Sequence, residues 1–305
     1  MDQAERLRNM IKASKRADDF QVARLITVTS GKGGVGKSNT AVNLAVQFRK
    51  MGYRVIIFDA DFGLANIEVM FGAIPKYNLS DLIFRGMTLE EIMIEGPMGI
   101  FFISGGSGVA ELSGLTKENV RFLAKKLVQL DQMADILIVD TGAGISDSVL
   151  EFVKISSEVV LVTTPEPTSI MDSYALLKAL RRKEGFDPSY TEIRVMANRV
   201  MEKGEGHALY EKLKTVVDQF LEMKLSYLGS VPYDVNVSKA IMQQKPITIT
   251  NKTAKASLAY EEIVKKLLDI KQEEQEKKIG ISQVFLNLFH TSMKKIGTRI
   301  PKDTV

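Results

Sequence analysis

Ser30-Gly31-Lys32-Gly33-Gly34-Val35-Gly36-Lys37-Ser38 is the stretch on which the fold turns. The apolar run Leu25-Ile26-Thr27-Val28-Thr29 leads into it, and Thr40-Ala41-Val42-Asn43-Leu44-Ala45-Val46 follows. A strand, a glycine turn and a helix in that order are the context in which G-x-x-x-x-G-K-[ST] means a phosphate cradle. Glycines let successive backbone N–H groups face one concavity, and the helix N-terminus behind them adds partial positive charge. Lys37 is placed to reach β- and γ-phosphates, and the Ser38 hydroxyl to ligate Mg²⁺. Gly31, Lys32, Gly33, Gly34, Val35, Gly36, Lys37, Ser38 and the adjoining Asn39 are therefore expected to hold a nucleoside triphosphate.

Outward from the loop, apolar runs and amphipathic stretches alternate. Strands are expected at residues 25–29, 54–58, 100–103, 136–139, 159–163, 193–197 and 227–231. Most are continuous apolar runs, the pattern of strands covered on both faces. Helical stretches lie between them, among them 119–132, 168–182, 208–223 and 254–270. This alternation predicts an α/β fold with a doubly wound, mainly parallel sheet flanked by helices. Ligands of that architecture sit at the carboxyl ends of strands, where Asp59, Asp61 and Asp140 fall. Ser104-Gly105-Gly106-Ser107-Gly108 has no Lys-Ser pair and reads as a strand-to-helix loop.

At 305 residues the chain can bury one large core with short appendages. The absence of cysteine removes disulfides, iron–sulfur ligation and thiolate zinc, and fits a reducing compartment. His207 and His290 are the two histidines, and neither sits in a metal-ligand pattern. A net charge of +4 allows an anionic partner but does not by itself argue for nucleic acid. The N-terminus is polar, with no signal-peptide core, and no apolar run reaches membrane-spanning length. A cytoplasmic protein is expected.

Both ends look like appendages to a central domain at 23–271. Within residues 1–22, Ala4, Leu7 and Ile11 form a short apolar stripe, either a frayed tail or a segment that folds on a partner. Residues 272–305 begin with a charged connector and continue as an amphipathic stretch with Ile281, Val284, Phe285, Leu288, Phe289 and Ile296 on one face. Lysines flank that face. It suits lying in the headgroup plane of an anionic membrane, reversibly and peripherally; core packing and a groove on a protein partner are the competing readings.

In Lys32-Gly33-Gly34-Val35-Gly36-Lys37-Ser38 the chain resembles the deviant phosphate-loop ATPases of the MinD/ParA type. The resemblance covers about residues 24–270 and implies an ATP- and Mg²⁺-dependent ATPase. In that family the extra lysine crosses a face-to-face homodimer to the partner's phosphates, the role implied here for Lys32 beside Lys37. Asp59-Ala60-Asp61 is similar to the family's second phosphate-proximal motif: Asp61 would orient the attacking water and Asp59 would sit near the magnesium. Asp140-Thr141-Gly142 resembles the Walker B strand and its switch, so Asp140 would hold Mg²⁺ while Thr141 and Gly142 sense the γ-phosphate. Asn198-Arg199 is similar to the adenine-reading pair, and Pro232 and Tyr233 to the loop that closes over the base. The competing reading for the aspartates is a helix cap or turn, and for Asn198 and Pro232 a simple strand end.

Asp2-Gln3-Ala4-Glu5-Arg6-Leu7-Arg8 resembles the D-Q-A-x-x-L-R element of the family's flagellar-number branch, the FlhG type (also FleN or YlxH). In that branch the element stimulates FlhF, a GTPase of the signal-recognition-particle type. The resemblance implies that Gln3 and Arg8 contact the partner's nucleotide site, with Leu7 packing. Flagellar switch (C-ring) or transcriptional proteins would be further partners. The rival readings are a MinD-type division-site ATPase, a ParA-like nucleic-acid-binding ATPase and a non-hydrolysing scaffold; no dense Lys/Arg stripe supports the second.

Overall fold

A computed structural model describes residues 22–61, 66–106, 117–269 and Ile281. In chain order the elements are β1 (Arg24–Ser30), α1 (Lys37–Lys50), β2 (Val55–Ala60), α2 (Ile67–Phe71), α3 (Leu79–Phe84), α4 (Leu89–Ile92), β3 (Ile94–Glu95) and β4 (Phe101–Ser104). There follow α5 (Lys117–Met133), β5 (Ile136–Ala143), α6 (Asp147–Ile155), β6 (Glu158–Thr163), α7 (Pro167–Arg181), β7 (Glu192–Val200) and α8 (Glu205–Leu221). The last are β8 (Leu225–Pro232), α9 (Val235–Met242), α10 (Ile247–Thr250) and α11 (Lys255–Asp269).

The strands form one sheet in the order β3-β4-β2-β5-β1-β6-β7-β8. Every neighbouring pair is parallel except β3 with β4. This is the doubly wound sheet flanked by helices that the alternation predicts. Periodicity does not announce α2, α3 and α4, because each is only one or two turns long. Local capping defines two of them: Asn78 with Asp81 on α3, and Thr88 with Glu91 on α4, form reciprocal capping boxes.

The apolar strands divide by residue parity, as a pleated strand must. Ile26, Val28, Val55, Ile57, Ile136 and Ile138 pack on one face with α1 and α11. Leu25, Ile56, Phe58, Leu137 and Val139 pack on the other, beneath α3, α4 and α5. A third cluster holds the opposite flank, where Val159, Leu161, Ile193 and Val195 meet α7 and α8.

Ile281, expected on a membrane-facing stripe, is fully buried in the second cluster with Ala23, Leu25, Leu127 and Leu130. An apolar side chain beside an open apolar cluster is stabilised by joining it, so here it is a core residue. The backbone N–H groups of Ile281 and Ala23 reach the Asp131 carboxylate, whose pKa burial pushes up to about 6. Val284, Phe285, Leu288, Phe289 and Ile296 lie outside the described residues, as do Gln3, Leu7 and Arg8. Among the described residues no helix is long and apolar enough to cross a membrane.

Side chains of the flanking helices α8 and α11 reach two carbonyls of β8. Tyr210 Oη donates to the Leu225 carbonyl at 3.0 Å, and Lys266 Nζ to that of Leu228 at 3.1 Å.

Candidate nucleotide site

The loop between β1 and α1 lies at the carboxyl ends of the central strands, beside β5 and β6. Gly31 is required by space: a Cβ there would stand 2.1 Å from the Asp172 carbonyl oxygen, so the loop lies directly on the α7 backbone. Gly36 is required by conformation as well, with φ at +96° and the Asn198 amide nitrogen 2.3 Å from where a Cβ would sit. Gly33 and Gly34 meet nothing within 4 Å of such an atom, which leaves their side of the loop open.

A carboxylate borne by β5 meets Lys37 and Ser38, and a second from β2 lies beside it. Asp140 is completely buried, with Lys37 Nζ 3.5 Å from Oδ1 and the Ser38 hydroxyl also hydrogen-bonded to it. Burial pushes its pKa up while Lys37 pulls it back. Parallel pairing sets Asp59 of β2 beside Asp140 of β5. Asp59 accepts backbone N–H bonds from Asp61 (3.1 Å), Asn66 (3.1 Å) and Ile67 (3.2 Å). Burial first, and the Asp140 charge second, raise its pKa to about 7 despite those bonds. Asp61 lies against Gly142, 3.5 Å from where a Cβ would sit.

The residues fit a magnesium ion. Asp140 Oδ2 is buried without a partner, and the donors at hand are hard oxygens of Ser38, Asp59 and Asp140. Among the described residues no three His, Cys, Asp or Glu form a cage by themselves. Mg²⁺ needs none, since it keeps waters and takes one or two carboxylates together with phosphate oxygens.

Lys32 stands apart from this cluster. Its Nζ lies 2.7 Å from Glu166 Oε2 and 2.8 Å from Thr168 Oγ1, on the rim at the start of α7. The Lys32 bond lowers the pKa of the Glu166 carboxyl. Nothing in the sequence pattern singles out Glu166 and Thr168 beyond their position just past the carboxyl end of β6.

At the far end β7 and β8 bring the expected base-binding residues together, with Asn198 level with Val231 and Val200 with Pro232. Asn198 Nδ2 donates to the Val35 carbonyl at 2.7 Å, tying this end to the phosphate loop. Arg199 adopts φ +57°, and Tyr233 N–H bonds the Val200 carbonyl at 2.8 Å. Two side chains face away from the roles expected of them. Asn39 turns its amide toward Tyr260 and Asn43. Thr141 Oγ1 sits inside the sheet, 3.1 Å from Thr29 Oγ1 and 3.3 Å from the Val28 carbonyl.

Comparison with known proteins agrees with this geometry. The family profile described as ParA, NUBPL iron-transfer P-loop NTPase, matches residues 21–268. Iron–sulfur ligation needs thiolates, and the chain has no cysteine. The chain is 40% identical to the antiactivator FleN of Pseudomonas aeruginosa over 253 residues, 83% of this chain and 89% of that protein. It is 35% identical to the flagellum site-determining protein YlxH of Helicobacter pylori, over 80% of this chain and 82% of that one. The septum site-determining protein MinD from Pyrococcus horikoshii, solved with Mg-ADP, shares the fold at TM-score 0.62 and 20% identity, covering 84% of this chain and all of that chain.

Proposed function

The chain belongs to the ParA/MinD family of P-loop NTPases, and from that premise we propose that it is an ATP-timed switch in the control of flagellar number. The observation that carries this reading is the pair of loop lysines. Lys37 is buried against Asp140, while Lys32 waits on the rim beside Glu166. A cation on an open rim suits a phosphate presented by a facing subunit, where it would neutralise transition-state charge only after two copies meet.

ATP lies along the cradle from Gly31 to Ser38, its base toward Asn198, Arg199, Pro232 and Tyr233. Magnesium, held through Ser38, Asp59 and Asp140, supplies charge neutralisation at the phosphates. Asp61 orients the attacking water from its place against Gly142. Residues 284–296 attach the dimer to an anionic membrane surface, and Gln3, Leu7 and Arg8 engage a GTPase of the signal-recognition-particle type. The names of FleN and YlxH support the flagellar setting.

Size-exclusion chromatography with ATP and Mg²⁺ tests the switch. Wild type and Asp61→Ala run as dimers, the latter persistently, and Lys32→Ala remains monomeric. A Lys32→Ala chain that dimerises like wild type overturns the trans-lysine reading. Because Ile281 belongs to the core, the membrane arm is tested by removing residues 282–305. That truncation abolishes liposome flotation and leaves nucleotide affinity alone. For the partner arm, a peptide of residues 1–20 raises GTP turnover by the GTPase.

A further inference from the structure

Helix α1 buries a polar stripe. Asn39, Asn43 and Gln47, one turn apart, are all buried. Asn43 Oδ1 accepts from the Thr248 N–H at 3.1 Å and its hydroxyl at 2.8 Å; Gln47 Nε2 donates to the Ser257 carbonyl at 3.1 Å. Buried amides persist where they are satisfied, and a satisfied set fixes one register between helices. That accounts for Asn43 and Gln47.

Asn39 begins a chain of contacts that leads elsewhere. Its Nδ2 lies 3.2 Å from the Tyr260 hydroxyl, which lies 3.4 Å from Thr40 Oγ1, which lies 2.9 Å from the Gly36 carbonyl oxygen. The direction is forced. A carbonyl only accepts and an amide N–H only donates, so Thr40 donates to Gly36, Tyr260 to Thr40, and Asn39 to Tyr260. Asn39 Oδ1 accepts from Asn43 Nδ2 at 3.2 Å, which agrees with that orientation. Burial pushes the Tyr260 phenol up to about 12, so its proton is present throughout the physiological range.

The Gly36 carbonyl shares a planar unit with the Lys37 N–H, and the two point in opposite directions. Holding the carbonyl back aims the N–H forward, a task the Thr40 hydroxyl shares with the Thr40 backbone N–H, which also donates to that carbonyl at 2.9 Å. Asn198 does the same one residue earlier, where its bond to the Val35 carbonyl aims the Gly36 N–H. We propose that Tyr260 is a positioning residue for the phosphate cradle: through Thr40 it locks the Gly36–Lys37 peptide with its N–H toward the phosphates before a nucleotide arrives. One turn earlier in α11, the Ala256 N–H donates to Asp234 Oδ2 at 3.4 Å, next to Pro232 and Tyr233. A single helix thus braces both the phosphate and the base ends. The inference rests on nucleotide binding at this loop.

The test is calorimetric titration of the full chain with ADP and ATP in Mg²⁺, paired with thermal unfolding without nucleotide. Tyr260→Phe weakens nucleotide binding about 3- to 10-fold, and Thr40→Val by a similar factor. The double variant is no weaker than the poorer single one, because both break one path. Gln47→Met, in the same helix interface but remote from the loop, lowers the unfolding temperature and leaves affinity within about twofold of wild type. Thr40→Ser, which keeps the hydroxyl, restores binding. Failure of wild type to bind either nucleotide overturns the nucleotide reading itself. With wild type binding, three results overturn the positioning role: Tyr260→Phe affinity equal to wild type, a loss no larger than that of Gln47→Met, or additive losses in the double variant. If Tyr260→Phe fails to fold, Thr40→Val against Thr40→Ser decides, and equal affinity of those two overturns the proposal.

Discussion

At the phosphate end of the site, Lys37, Asp59 and Asp140 are ionisable side chains buried together. At the base end, Arg199 is the single charged member of the expected set, beside Asn198, Pro232 and a half-exposed Tyr233. The first end is electrostatically unfinished: Asp140 Oδ2 has no partner, and Asp59 is held near neutrality by burial. Buried charges settle only when paired or coordinated, so this end is complete only with a cation and an anionic ligand in place. The second end is already satisfied, with Asn198 bonded to Val35 and the Tyr233 N–H to Val200. The Asn198 amide still has a second N–H to offer. Affinity should therefore come from the phosphate end, and discrimination between bases from the Asn198 amide at the other.

Removing the buried cation breaks the comparison hardest. Lys37→Ala leaves Asp140 uncompensated and takes about 3 kcal/mol or more from nucleotide binding, roughly a hundredfold in Kd by calorimetry. The base end has a smaller effect of a different kind. Asn198→Ala weakens ATP by about tenfold and narrows the preference for ATP over GTP measured in competition. If it instead weakens both nucleotides as much as Lys37→Ala does, the division of labour is wrong.

The smallest effect is a pH slope. The Asp59 pKa, raised to about 7 from an ordinary 3.8, favours the protonated carboxyl in the fold. Stability from that preference is complete below about pH 4 and is lost as pH rises through 7. Nucleotide-free protein accordingly unfolds at progressively lower temperature across that window, and Asp59→Asn flattens the slope. An unchanged slope assigns the titration to another group, Asp131 being the nearest rival because its pKa is also raised, to about 6.

Much of this is legible in the chain itself. The β1–loop–α1 stretch carries its own turn chemistry, and the apolar runs ending in Asp59 and Asp140 place those carboxylates at strand ends, where the sheet register then sets them side by side. Contacts made by distant parts of the chain were not legible. Glu166 meets Lys32 only because α7 lies against Gly31, and Tyr260 reaches Thr40 across 220 positions of sequence. Ile281 shows the converse: an amphipathic pattern states which side chains avoid water, and not what covers them.

The margins of the sheet carry a last consequence. One terminal strand, β3, is two residues long, and on the other, β8, Tyr210 and Lys266 occupy two carbonyls. Short or plugged borders deny an incoming strand its ladder. Lateral growth from molecule to molecule is thereby discouraged, and a crowded population of these chains is steered away from ribbon-like aggregates.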